Sequence, residues 1–314
     1  MMKQKVAAVI GPTASGKTAL SVELAKRFSG EIVSADSMQI YKYMDIATAK
    51  PTEEEKQGIP HHLMDFWEPS ESFSVARYCD LAQHAINDIA SRGKLPIIVG
   101  GTGLYVDSLL GGMRFEEQEI DPALRAEITA QLDEKGVDYM LDTIRAFDPA
   151  SADRLAVERN PKRIVRCIEV YRLTGMTQTQ LNEEQQGDES PYDAVKIGLT
   201  AADREVLYDR INRRVDIMME SGLLEEARRF YDGDFGETAA AAIGYKELLP
   251  YLTGERDLET CVANLKRATR RYAKRQMTWF KRDRSINWFK IDELSFDEIE
   301  SKAAAIIKKE FFHE

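Results

Sequence analysis

Apolar positions in the first hundred residues fall into short runs separated by amphipathic stretches. Val6–Ile10, Glu31–Ala35 and Leu95–Val99 are compact and rich in β-branched residues, the pattern of strands buried on both faces of a sheet. Between them, Ala19–Phe28 and Ser74–Arg92 have helical spacing, the second opened by a serine N-cap and closed by Gly93. This strand–helix alternation predicts a parallel sheet covered by helices. A fourth strand-like run, Ala194–Thr200, rejoins the sheet much later in the chain.

The intervening pattern is helical only. Asp121-Pro122 sets an N-cap before a proline suited to the first helical position, and Gly136 ends that helix. A second helix over 138–147 is stopped by Asp148-Pro149, and a third runs from Asn160-Pro161 to Gly175. Gln185–Pro191 reads as an exposed link back. From Arg204 to the end the pattern is helical again, with breaks at Gly222, at 233–236 and at Thr253-Gly254.

Composition narrows the class. Of 314 residues, 43% are hydrophobic and 31% charged, as in a soluble globular chain. No apolar run approaches the ~20 residues needed to span a bilayer. The first strand begins within a few residues of the N-terminus, so neither leader nor membrane segment is expected and the cytoplasm is the expected compartment. Cys79, Cys167 and Cys261 are odd in number, widely spaced and without a Cys-x-x-Cys pair, which reads as reduced packing thiols. No zinc ligand set is visible.

A net charge of −10 argues against nucleic acid only if it is evenly spread. It is not, because residues 116–195 hold eighteen acidic and nine basic residues while the flanks are nearly balanced. Local basic surface, rather than the total, sets affinity for phosphate backbones.

Chemistry enters at the end of the first strand. Gly11-Pro12-Thr13-Ala14-Ser15-Gly16-Lys17-Thr18 matches G-x-x-x-x-G-K-[ST] between a strand and a helix. Its backbone N–H groups and helix N-terminus suit a di- or triphosphate or a diphosphate ester, Lys17 adds charge, and the Thr18 hydroxyl can sit on Mg²⁺. The fold expected is therefore α/β, a P-loop NTPase-like parallel sheet flanked by helices. Residues 1–115 and 196–314 form the core, with a helical C-terminal part, and 116–195 form an all-helical insertion domain.

Asp36 ends the second strand, on the sheet edge where ligands collect. It can ligate a metal through water, serve as a general base, or simply cap the next turn. Arg210 and Arg214, four apart, project together; facing the phosphate loop they would oppose the charge of a leaving diphosphate, and otherwise they form surface pairs. From Lys266 to Arg284 there are nine basic residues and one acidic. Arg267, Arg271, Lys274 and Arg275 share one helical face among Tyr272, Trp279 and Phe280. That is either a solvated basic face or a surface for phosphates and unpaired bases. Lys162, Arg163 and Arg166 make a local basic patch inside the acidic segment.

Several motifs in order resemble the tRNA dimethylallyltransferase family in its bacterial form, without the zinc finger that some eukaryotic relatives append. They are Gly11–Thr18, Asp36–Lys42, Thr48-Ala49-Lys50-Pro51, His61–Asp65, Val99–Tyr105, Asn160–Arg166, Ile243–Glu247 and Arg271–Gln276. The resemblance implies transfer of a dimethylallyl group from dimethylallyl diphosphate to N6 of the adenosine 3′-adjacent to the anticodon, with Mg²⁺ and loss of diphosphate. It also implies site roles. Asp36, Lys17, Thr102 and Arg214 would be catalytic, and Gly11–Thr18 with Arg210 and Arg214 would bind diphosphate. The anticodon stem-loop would meet Asp36, Ser37, Met38, Gln39, Thr102, Arg125, Asn160, Pro161, Lys162, Arg163, Ile164, Arg166, Gly244, Tyr245, Lys246, Arg271, Lys274 and Arg275. The insertion patch and the basic C-terminal helix would grip opposite sides of the stem, and a monomer is expected. A P-loop small-molecule kinase, a nucleotide-switched RNA-binding module and a prenyltransferase of free adenine nucleotides are the rivals. The kinase leaves the basic helix idle, the switch lacks an N-K-x-D guanine motif, and the last has no use for the insertion.

Overall fold

The computed structural model describes residues 3–113, 121–185, 189–233 and 235–312, which form two compact units, Met1–Gly111 with Ser190–Glu314, and Gly112–Glu189. The first unit is built on a sheet of β1 (Gln4–Ile10), β2 (Glu31–Ser34), β3 (His61–His62), β4 (Pro96–Gly100), β5 (Tyr192–Thr200) and β6 (Asn287–Lys290). All neighbours pair in parallel, in the order β3-β2-β4-β1-β5-β6. The continuous apolar runs follow from this arrangement. Val6, Ala8 and Ile10 of β1 enter one core layer, beneath the helix Val75–Ser91, and Ala7 and Val9 enter the other. That second layer is closed by the helices Lys17–Arg27 and Phe296–Phe312, through Leu20, Leu24, Ile299, Ala303 and Ile307.

Three strands depart from the sequence expectation. β6 lies in a stretch read as helical, because four residues are too few to break a helical pattern. β3 is only two residues long. β5 starts at Tyr192, two residues before the expected Ala194, where it pairs with Gln4.

The unit 112–189 has a separate core, centred on Ile128, Met140, Ile144, Leu155, Ile164 and Ile168. Pro122–Arg145 is interrupted by extended geometry at Gly136 (φ 79°, ψ 171°), at the expected helix stop. Asp148-Pro149 starts a helix as well as ending one. Asp148 caps Pro149–Glu158 by accepting from Ser151 N–H, a helix absent from the sequence expectation although it carries the Asp-Pro signature of Asp121-Pro122. The expected domain boundary at 115/116 and residues 186–188 of the link 185–191 lie outside the described residues. Among the described residues no helix is long and apolar enough to cross a membrane.

Candidate active site

Three strand ends meet where the strand order reverses about β1, the position at which open α/β sheets bind ligands. β1 delivers the phosphate loop, β2 delivers Asp36, and β4 delivers Gly100-Gly101-Thr102. At Gly11 (φ 140°) an added Cβ would lie 2.3 Å from the Leu199 carbonyl oxygen, so only glycine lets the loop leave the sheet beside β5. Ala14 (φ 63°) and Gly16 (φ 94°) take left-handed geometry. Thr13 N–H donates to Gln276 Oε1 at 2.9 Å. The next five backbone N–H groups, Ala14 to Thr18, donate to no acceptor among the described residues. Five open donors at the head of the helix Lys17–Arg27 make an anion seat.

Gly11, Pro12 and Ser15 are buried and shape this loop without lining the cavity. Ser15 Oγ and Lys17 Nζ both donate to Pro12 O, at 2.8 and 2.7 Å. The ammonium of Lys17 borders the cavity yet is closely surrounded by protein. Burial, then the Arg214 charge, lowers its pKa to about 7, against a smaller opposing pull from Asp36. A bound diphosphate would restore the full charge.

The cavity, about 550 Å³, is lined by Thr13, Gly16, Lys17, Thr18, Asp36, Ser37, Met38, Gln39, Arg210, Arg214, Gly244, Lys246 and Arg275. An apolar flank is made by Val215, Met218, Leu223, Ile243 and Leu265. Asp36 Oδ1 accepts from Met38 N–H (2.9 Å) and Gln39 N–H (3.3 Å), so Asp36 does cap its turn. Its Oδ2 has no hydrogen-bond partner among the described residues and remains available to a ligand. Arg214 donates to Thr13 Oγ1 (3.2 Å) and Ala49 O (3.4 Å), which ties it to the phosphate loop, and burial lowers its pKa. Arg210 lines the cavity, whereas Arg213 does not.

Thr102 stands outside the lining. Its hydroxyl accepts from Ser37 N–H (3.0 Å) and donates to Ser37 Oγ, fixing the Asp36 turn from behind. Tyr272, expected among the aromatics of the basic face, lines the cavity, and Gln276 carries a role that the arginines around it in the motif obscure. Gln276, buried, donates to Gly101 O (3.0 Å) while accepting from Thr13, and so joins two of the strand-end loops. Burial first, and the Asp36 charge second, push the Tyr272 phenol pKa well above its ordinary value.

Two expected RNA contacts, Tyr245 and Ile164, are corrected, and several others are found engaged within the protein. Tyr245 is fully buried and donates to Glu226 Oε1 (2.8 Å). Ile164 is fully buried in the core of its own unit, and Phe280 is buried as well. Asn160 serves as an N-cap, accepting from Arg163 N–H, with Pro161 at the first helical position. Arg125 grips the buried Glu169 with two bonds (3.0 and 2.8 Å), Arg166 joins the same carboxylate, and Arg163 pairs with Glu158. Lys162 is exposed on that helix. On Leu258–Phe280, by contrast, Arg271 and Lys274 are exposed with no acidic partner among the described residues, and Arg275 stands over the Tyr272 ring. The expected basic face is therefore present there.

A family model described as IPP transferase matches residues 39–283, and one described as isopentenyl transferase matches residues 4–68. The tRNA dimethylallyltransferase of Acetivibrio thermocellus is 49% identical over 295 residues, which are 93% of this chain and 94% of that one. Among solved structures, the full-length tRNA isopentenylpyrophosphate transferase of Bacillus halodurans is 44% identical, with a TM-score of 0.74 over 99% of this chain and 98% of that chain. A eukaryotic dimethylallyltransferase acting on tRNA is 32% identical, with a TM-score of 0.82 over 99% of this chain and 80% of its own.

Proposed function

The chain belongs to the tRNA dimethylallyltransferase family and catalyses dimethylallyl transfer to tRNA, and we propose that its donor is dimethylallyl diphosphate and its acceptor the N6 amine of the adenosine 3′-adjacent to the anticodon. One observation carries this reading. Five N–H groups without an acceptor among the described residues, Lys17 and Arg214 line or border the same cavity as Asp36, whose Oδ2 has no partner among the described residues.

In the proposed step, the bond between the prenyl C1 and diphosphate oxygen breaks with its electron pair leaving on oxygen. The growing charge is met by the loop N–H groups, Lys17 and Arg214. The N6 lone pair forms the new C–N bond, and an N6 proton passes to Asp36 Oδ2. The apolar flank of Val215, Met218, Leu223 and Leu265 suits a branched hydrocarbon tail and excludes water from a reactive carbon.

For Mg²⁺, the residues fit a ion that arrives with diphosphate. The Thr18 hydroxyl lines the cavity without a partner, and among the described residues no group of three carboxylate, histidine or cysteine side chains could hold a metal alone. When bound, the ion would share the negative charge of the leaving diphosphate.

Arg271, Lys274 and Arg275 supply unneutralised charge for RNA phosphates. All the groups given a role in this reading come from one chain, which supports a monomer, and action on tRNA supports a cytoplasmic enzyme.

Incubation of purified protein with bulk tRNA and labelled dimethylallyl diphosphate, followed by digestion to nucleosides, tests the reading. Label should appear in N6-dimethylallyl-adenosine. Label entering free adenine nucleotides, or ADP released stoichiometrically from added ATP, would overturn it.

A further inference from the structure

Behind the cavity wall lies a buried carboxylate for which the proposed reaction has no direct use. Glu226, on the helix Leu223–Tyr231, is 4% exposed and does not line the cavity. Its Oε2 accepts from Asp45 N–H (3.0 Å) and Ile46 N–H (2.8 Å), and its Oε1 accepts from Ala47 N–H (2.9 Å) and Tyr245 Oη (2.8 Å). Those three consecutive N–H groups have no other acceptor among the described residues. Gly244 (φ 123°) lets the next helix start against the same wall, since an added Cβ there would lie 3.2 Å from Ala47 Cβ.

The clamped segment leads straight to a charged side chain of the site. Ala49 N–H bonds back to Ile46 O and Lys50 N–H to Asp45 O, making 45–50 one tight unit. Thr48 O and Ala49 O both accept from Gln39 Nε2 at 3.1 Å, and Ala49 O is one of the two hydrogen-bond acceptors of Arg214. We propose that Glu226 is a positioning residue for the transfer, holding the backbone of 45–47 so that Ala49 O aims Arg214 at the leaving diphosphate. The inference rests on the role given to Arg214 above.

A carboxylate is needed because four donors converge on two oxygens. Glutamine at 226 offers one acceptor oxygen and turns two N–H bonds toward donors, so at least part of the clamp opens. The Ala49 carbonyl then shifts and Arg214 loses half of its seat.

A double-mutant cycle decides the matter, with transfer measured at saturating tRNA and varied dimethylallyl diphosphate, and again at saturating dimethylallyl diphosphate and varied tRNA. Glu226→Gln should lower kcat about 10- to 100-fold with the KM for tRNA unchanged. In an Arg214→Ala background the same change should cost less than about threefold. Equal losses in both backgrounds, or a folded Glu226→Gln enzyme within threefold of wild type, overturn the proposal. Should Glu226→Gln not fold, Glu226→Asp, which keeps the charge and shortens the reach, goes through the same cycle with the same criteria. An Arg214→Ala enzyme of full activity would sink the reading of the pocket and this inference together. An impaired Arg214→Ala enzyme with an undiminished Glu226 penalty would sink this inference alone.

Discussion

Asp36 offers a separation of chemistry from structure within one side chain. Oδ1 holds the turn through Met38 and Gln39, while Oδ2 is unengaged. Asparagine keeps an acceptor oxygen for the turn and replaces the proton-accepting oxygen by a donor. Asp36→Asn should therefore lose about 10²–10⁴ in kcat, the scale of a general base, and melt within about 1 °C of wild type. Alanine removes both functions. Two hydrogen bonds to a carboxylate are worth at most ~1.5–3 kcal/mol each. The turn borders a water-accessible cavity, so a net loss of about 1–3 kcal/mol is the reasonable scale. For a chain of this size that is a fall of roughly 2–5 °C in Tm. The measurements are single-turnover transfer to tRNA at saturating donor, calorimetric melting, and tRNA binding, which should move by less than about threefold for both variants. Near-normal turnover of Asp36→Asn refutes the base assignment. Equal losses of Tm in the two variants refute the division of labour between the oxygens.

The two basic surfaces should respond differently to salt. Lys274→Ala removes an unpaired cation and should flatten the log–log salt dependence of tRNA binding by about 0.7–0.9. Arg163→Ala removes a charge already paired with Glu158 and should change the slope by less than half of that; unchanged slopes in both would move the RNA contact elsewhere. Away from the site, Glu31 is buried and accepts from Arg92, Lys94 and His62, and Arg92 foremost holds its carboxyl well below the usual range. A depressed folded pKa makes this stabilisation complete above the unfolded value near pH 4.3 and progressively lost as pH falls below it. Glu31→Gln should thus cost about 2–3 kcal/mol at pH 7 by urea melting. The gap should narrow steadily below pH 4, and a gap independent of pH would refute the assignment.

The fold was legible where burial forces a repeated pattern. β1, β2, β4 and β5 are apolar on both faces because helices cover both faces, and the helix caps Ser74, Asp121 and Asn160 each accept the bond their sequence position implied. β6 escaped because its four residues take their register from β5 rather than from any local signal. Pro149–Glu158 escaped because Asp148-Pro149 both stops one helix and starts the next, as the same pair opens a helix at 121–122.

Within the site, what could be read was the chemistry that a residue type announces by itself. Lys17, Thr18, Asp36 and Arg214 reach one cavity, as a phosphate loop at a strand end and a paired arginine face would have them do. What could not be read was which charges are already committed. Lys50 looks like a ligand for phosphate, yet its ammonium is almost fully buried between Asp45 (2.7 Å) and Asp65 (2.6 Å). Arg125 and Arg166 look like RNA contacts, yet both close on Glu169, whose side chain is wholly buried. A buried carboxylate must be compensated, so it draws nearby cations with more than the force of a surface pair. Its position depends on which helices pack together, which no local pattern records. The same physics hid Glu226, whose partners are backbone N–H groups about 180 residues away. Charge in this sequence therefore says little about function until its partner is known, because the fold, and not the residue type, decides which cations remain uncommitted.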